Sequence, residues 1–313
     1  MSGPLRTKVI TAWDHTQADL SLFCKPFEMD KERMAEDMLF LQKKYAYLVP
    51  VETVEAGDIV TMRCRSSKPK FQKDSVTINV GKNLYSRELE EKLVGMAVGE
   101  EKELTVGETA VMVYILKAER NTLPELTDEF LSKNLKKIRS MTELMAWYTN
   151  AYFEDHLKQC AGSAADFLQE QALIHSKIAV DEEERRVARV GAEKTLHDMW
   201  EMNGLPLDQM TDDQAQELLG YPNAQAYIDG FADLCEKDVQ YAALGYALLA
   251  NDGKAPTEES YREARRKMIE EEGTPEDQLT DYTYHAYGRQ VCAEYYRNVL
   301  ETHAYKIIKE KLS

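Results

Sequence analysis

From Leu123 to Ser313 no stretch of the sequence alternates apolar with polar residues; apolar residues recur instead at three- and four-residue steps. A run of about 190 residues without a strand pattern must bury its stripes helix against helix, which limits this part of the chain to an all-α arrangement. Helix starts are legible. Asp181, followed three residues later by Glu184, reads as a capping box opening DEEERRVARVGAEKTLHDMWEM. Asn223 opens a stretch through Cys235, Val239 and Leu244 to Leu249, which ends near Asn251-Asp252-Gly253. Thr257 opens EESYREARRKMIEEE, and the last segment runs from Asp281 to Leu312 with Tyr284, Tyr287, Val291, Tyr295 and Val299 along one side. Whether such stripes form the core of a bundle or face a cleft between arms is not decided by their period.

The first part of the chain has a different grammar. Residues 28–48 read as one helix, with Met34, Met38, Leu41, Tyr45 and Leu48 on a stripe and Pro50 as its stop. From 51 to 120 the apolar positions alternate: Val60, Met62 and Cys64, then Val76, Ile78 and Val80. A short helix, LYSRELEEKL, ends at Gly95, where a left-handed cap is available. EKELTV and AVMVYILKA follow, the second apolar on both faces and so expected to be a central strand buried on two sides. The expected fold class is α+β: a small antiparallel sheet with one helix, followed by an all-α domain. The expected segments are 1–50, 51–122 and 123–313.

Composition narrows the function classes. Hydrophobic residues make up 43% and charged residues 30% of 313, enough to build cores. No run of 18 apolar residues exists, so no membrane-spanning helix and no membrane partner are expected. The start lacks the apolar region of a secretory signal, and five scattered cysteines are odd in number without a CxxC, which suits reduced thiols in a cytoplasmic protein. Residues 124–313 carry 21 basic and 36 acidic side chains and supply nearly all of the net charge of −16. Such a surface repels phosphate backbones, so a nucleic-acid partner is not expected. No phosphate loop, HEXXH or GxSxG occurs, and the six histidines are dispersed, none pairing with another at ligand spacing. No catalytic residue, metal site or cofactor is therefore expected, and the acidic run from Asp181 to Glu184 reads as a helix start.

Three stretches in order carry a resemblance. Val54 to Thr61, VEAGDIVT, looks like the entry strand of an FKBP-type prolyl isomerase domain. Gly81 to Glu101, GKNLYSRELEEKLVGMAVGEE, is similar to the segment in which such domains carry Ile-Pro-Gly-Phe-Glu, a short helix, then Gly-Met and Gly-Glu. Leu123 to Phe130, LPELTDEF, looks like a junction into a helical chaperone domain. Together they resemble bacterial trigger factor over about residues 28–313. The resemblance implies an FKBP-like sheet domain, a helical chaperone domain with extended arms, and unfolded or nascent polypeptides as partners, with an oligomer possible. The Gly-Phe-Arg and Gly-Lys signature of the family's ribosome-docking domain is missing, so ribosome docking is not expected of this chain.

The departures bear on chemistry. With Gly81 and Gly95 in register, Ser86-Arg87-Glu88-Leu89 stand where the family has Ile-Pro-Gly-Phe, and only Glu90 matches. Leu104 to Met112 passes through Gly107-Glu108 as a tight hairpin with no room for the flap that closes over proline. Prolyl isomerisation needs a dry pocket that favours the twisted amide, against a barrier of about 18–20 kcal/mol. A degenerate isomerase domain is the expectation, with a shallow remnant pocket at Tyr85, Leu89, Met112 and Tyr114 and an ATP-independent holdase function. The competing readings are a slow isomerase and a module for one dedicated protein partner.

Overall fold

A computed structural model describes residues 3–313, and the chain divides into two compact units. One is Glu28–Tyr152; the other joins the N-terminal segment up to Phe27 with Phe153–Ser313. These boundaries differ from the expected 1–50, 51–122 and 123–313, because the first fifty residues divide after Phe27 and residues 123–152 group with the sheet. In chain order the elements are β1 (Lys8–Thr11), α1 (Lys31–Lys44), β2 (Tyr47–Pro50), β3 (Ile59–Arg65), β4 (Lys73–Asn79) and α2 (Arg87–Leu93). Then come β5 (Glu101–Val106), β6 (Thr109–Thr122), α3 (Asp128–Asn134), α4 (Met141–His175) and β7 (Lys177–Ala179). Five helices complete the chain: α5 (Glu182–Met202), α6 (Asp212–Leu219), α7 (Ala224–Asn251), α8 (Glu258–Glu270) and α9 (Tyr284–Leu312).

In the sheet unit, β6 is the spine. It pairs antiparallel with β3 along one edge, and on the other with β5 along its first half and β2 along its last four residues; β4 extends the sheet beyond β3. Val60, Met62, Cys64, Val111, Val113 and Ile115 point to one face, and α2 closes it with Leu89 and Leu93. The expectation that β6 is buried on two sides is corrected: Met112 and Tyr114 are half-buried and Leu116 is exposed, so the sheet has a single core face. The helix expected over 28–48 is also shorter. Asp30 caps it by accepting from the Arg33 N–H at 2.9 Å, and the chain leaves it at Tyr45 because Tyr47–Pro50 find a ladder partner in Glu119–Thr122. Tyr45 then meets the Phe130 ring edge-on at 5.5 Å and donates to the Asn134 carbonyl at 3.2 Å.

In the helical unit, α9 buries Gly288, Cys292, Tyr296, Leu300, Ala304 and Ile308, one residue every four. The tyrosine and valine stripe expected for this helix is only half-buried beside it. The helices approach closely where small residues meet: a Cβ on Gly245 of α7 would overlap the Cys292 carbonyl oxygen of α9. The part of α4 in this unit contributes Leu157, Ala161, Ala164, Ala165 and Leu168 to the same core, and Leu20 from the N-terminal segment is buried among them. The strand-free reading of 123–313 is corrected by β7, which pairs antiparallel with β1; three residues are too few to display an alternation. Asp181 does cap α5, accepting from the Glu184 N–H at 3.0 Å. Glu184 does not return the bond: its carboxylate accepts instead from the backbone N–H groups of Arg6 and Thr7, at 2.6 and 2.8 Å.

Candidate functional site

The four positions of the expected remnant pocket separate onto two faces of the sheet. Leu89 is wholly buried in the core, and Tyr85 is half-buried against it. The Tyr85 hydroxyl donates to the Lys70 carbonyl at 2.6 Å, and its ring meets Phe71 edge-on at 5.9 Å. Met112 and Tyr114 pair in register with Arg65 and Arg63 of β3 and with Glu103 and Glu101 of β5. Directly paired residues share a face, so these two look away from Leu89 among charged neighbours. Arg63 sits 5.8 Å from the centre of the Tyr114 ring. What stands behind Tyr85 is apolar filling: burial pushes the Cys64 thiol up to about 11 and raises the Tyr85 phenol, with Cys64 adding to the second shift.

The residues at the family's Ile-Pro-Gly-Phe-Glu positions have other duties. Arg87 pairs with Glu91 at 2.9 Å on the solvent side of α2. Glu88 accepts from the Gly107 N–H at 2.6 Å and from Lys92 at 2.8 Å, and Lys92 also donates to the Thr105 carbonyl, so α2 is tied to the β5–β6 hairpin. That hairpin turns in two residues, Gly107 and Glu108, with Gly107 at φ +59°, as a type II′ turn requires. Glu90 is fully buried and accepts four backbone N–H bonds, from Gly81, Asn83, Tyr85 and Ser86, at 2.7–3.3 Å. Burial opposes its charge, but the four donors outweigh burial and hold the carboxyl below its ordinary value. The loop 81–86, with Asn83 left-handed at φ +58°, is thus moulded around one carboxylate. Asp58 plays the same part at the entry strand: Arg120 grips it with two bonds, at 2.8 and 2.9 Å, and the Glu55 N–H adds a third at 2.7 Å.

The helical unit holds an open cleft of about 620 Å³. Val187, Val190 and Gly191 of α5 form one wall, Val239 of α7 lies within it, and His285, Ala286 and Arg289 of α9 form the other; Leu5 and Arg6 of the N-terminal segment line one margin. Val187 and Val190 are 49% and 52% exposed, although they sit three residues apart on a helix that buries Ala188, Ala192 and Leu196. Ion pairs stand at the rim, Arg186 with Glu183 at 2.7 Å and Lys194 with Asp281 at 2.8 Å. Met199 and Met202, near the end of the same helix, are 38% and 83% exposed. An apolar strip of Leu5, Val187, Val190 and Val239 among charged side chains can bind apolar side chains reversibly.

The signal for this cleft in the sequence is a second apolar pair, Val187 and Val190, beside the alanine and leucine stripe of α5. The histidines, dispersed along the sequence, include one pair that the fold brings together. His15 and His303, far apart in sequence, come together with ring centroids 5.1 Å apart. Burial lowers the His15 pKa, His303 lowers it further, and Asp14 opposes both. Among the described residues no group of three or more His, Cys, Asp and Glu side chains is placed to hold a metal ion, and no helix is long and apolar enough to cross a membrane.

No protein-family profile matches the chain. Curated relatives do. A trigger factor of Pelobacter propionicus is 29% identical over 42% of this chain and 36% of its own length. One from Nocardia farcinica is 25% identical over 79% of this chain and 55% of its own, and one from Trichlorobacter lovleyi is 34% identical over 34% and 27%. A solved trigger factor chaperone structure aligns over 98% of this chain and 73% of that one, at 14% identity and a TM-score of 0.41. The chain spans about a quarter to a half of the length of these curated relatives. Its sequence, with an antiparallel sheet domain followed by a set of helices, is that of a trigger-factor-like protein.

Proposed function

We propose that this chain is an ATP-independent holdase that shelters apolar segments of unfolded or nascent polypeptides in its helical unit, within the cytoplasm. The observation that carries the reading is the cleft faced by Val187 and Val190, half-exposed valines beside a fully packed stripe of the same helix. An apolar client side chain buried there gains roughly 2 kcal/mol, so grip comes from several weak contacts that release without a nucleotide. The relatives named trigger factor support the chaperone class.

The sheet unit, on this proposal, is a prolyl isomerase fold without its chemistry. What supports this is a buried Leu89, Phe71 and Tyr85 rings packed against the same core, and a two-residue hairpin tied to Glu88 where a flap would need a longer loop. Two measurements test the proposal. Near-equal concentrations of the chain should suppress light scattering from an aggregating client, and absence of suppression would sink the holdase reading. A protease-coupled assay on a proline tetrapeptide should give the uncatalysed rate; a faster rate would restore the isomerase.

A further inference from the structure

Residues 3–11 lie across the helical unit as an extended strap, held there mostly through their backbone. Gly3 lies against the Tyr246 ring, and Pro4 rests on Gly288, where any Cβ would overlap the proline ring. His285 donates from Nδ1 to the Pro4 carbonyl. Leu5 packs in the apolar patch of Ala242, Tyr246, Leu249 and Cys292. The next two N–H groups, of Arg6 and Thr7, both go to the Glu184 carboxylate, and the Thr7 hydroxyl accepts from the Asp181 N–H at 3.0 Å. Beyond them β1 adds as a strand to β7, which pairs with nothing else among the described residues.

A carboxylate that takes consecutive backbone N–H groups, a lone strand that takes a ladder and a glycine notch that takes a proline form a receptor for extended chain. Apart from the Pro4 and Leu5 seats, the Thr7 hydroxyl and the packing of Val9 on the main helical core, the contacts named are to the main chain. It is also continuous with the open cleft, since Leu5, Arg6, Glu184 and His285 line that cleft as well. We propose that this groove is a client subsite that recognises extended polypeptide through its main chain, and that residues 3–11 occupy it in the resting protein as a tethered stand-in. The substrate class is an extended segment with a small residue, a proline and an aliphatic residue ahead of a strand-forming run. Main-chain recognition would explain how one groove serves many clients. A tethered competitor holds an effective concentration of about millimolar, so a client must displace it and binding stays weak and reversible.

The inference rests on the holdase reading, and its test separates the two. In the full-length chain, Pro4→Gly with Leu5→Ser loosens the strap and leaves Gly288, Glu184 and β7 intact. A fluorescein-labelled peptide of sequence GPLRTKVI, followed by anisotropy, should bind this variant at least tenfold more tightly than the parent. Adding Gly288→Ala, which fills the notch, should abolish the gain. Equal affinity for parent and variant, with an unchanged far-UV spectrum, would overturn the subsite. Should the variant fail to fold, hydrogen exchange on the parent decides. Saturation with a reduced, carboxymethylated client should deprotect the Arg6, Thr7 and Val9 amides. Unaltered protection while the client is bound would overturn this inference and leave the holdase standing; no client binding at all would defeat the holdase reading first.

Discussion

Glu90 was legible in the sequence as the one matching residue among five, but its purpose was not, because its partners are backbone groups and backbone groups have no letters. It is the keystone of the loop 81–86. Glu90→Gln keeps the shape but sets an NH₂ against two of the four donors, and it should destabilise the sheet unit by about 3 kcal/mol, read by urea unfolding. Its charge makes the effect depend on pH. The folded carboxyls of Glu90 and Asp58 both titrate below their ordinary values, so the stability they add is complete above about pH 4.5 and is lost as pH falls through the lowered folded values. The acid limb of a circular-dichroism titration should therefore be shallower in Glu90→Gln than in the parent. Equal limbs would mean that the four bonds add nothing beyond shape. Gly245 was equally opaque in the sequence, since what it makes room for is a carbonyl 47 positions away. Gly245→Ala should cost about 2 kcal/mol or more, because the Cys292 backbone has to retreat.

Among the elements, the helices and strands with long periods were readable and the short or doubly patterned ones were not. Asn223, Thr257 and the region before Tyr284 open helices where their cap chemistry says they should. Against that, α9 presents two apolar stripes side by side, and period alone does not say that the one through Gly288, Cys292, Tyr296 and Leu300 turns inward. The same doubling hid the cleft on α5, where Ala188, Ala192 and Leu196 turn inward while Val187 and Val190 stay in solvent. Val187→Asp with Val190→Asp should leave the melting temperature nearly unchanged, because neither valine belongs to the packed stripe. It should weaken suppression of client aggregation by roughly tenfold, about 1.4 kcal/mol lost in binding. Full suppression by the folded double variant would move client binding off this helix.

At the scale of the molecule, the excess of acid in residues 124–313 is visible in the letters, whereas the place of the N-terminal segment is not. Nothing in the letters of residues 3–24 says that they belong with a helical unit whose remaining residues begin at Phe153. That pairing also brings His15 beside His303. A histidine with a depressed folded pKa gives up stability as the pH falls through the unfolded value of about 6.5. The melting temperature of the helical unit should accordingly drop between pH 7.5 and 5.5, and His15→Asn should flatten that drop. The contact between Thr7 and Glu184 spans 177 positions, and Lys311 reaches Ser21 across 290. During synthesis, then, residues 3–24 wait for α9 before their layer can close. Leu20 is fully sheltered only once α4, α7 and α9 are all there to pack around it. A protein proposed to shield unfinished chains thus holds part of its own core open until α9 has been made.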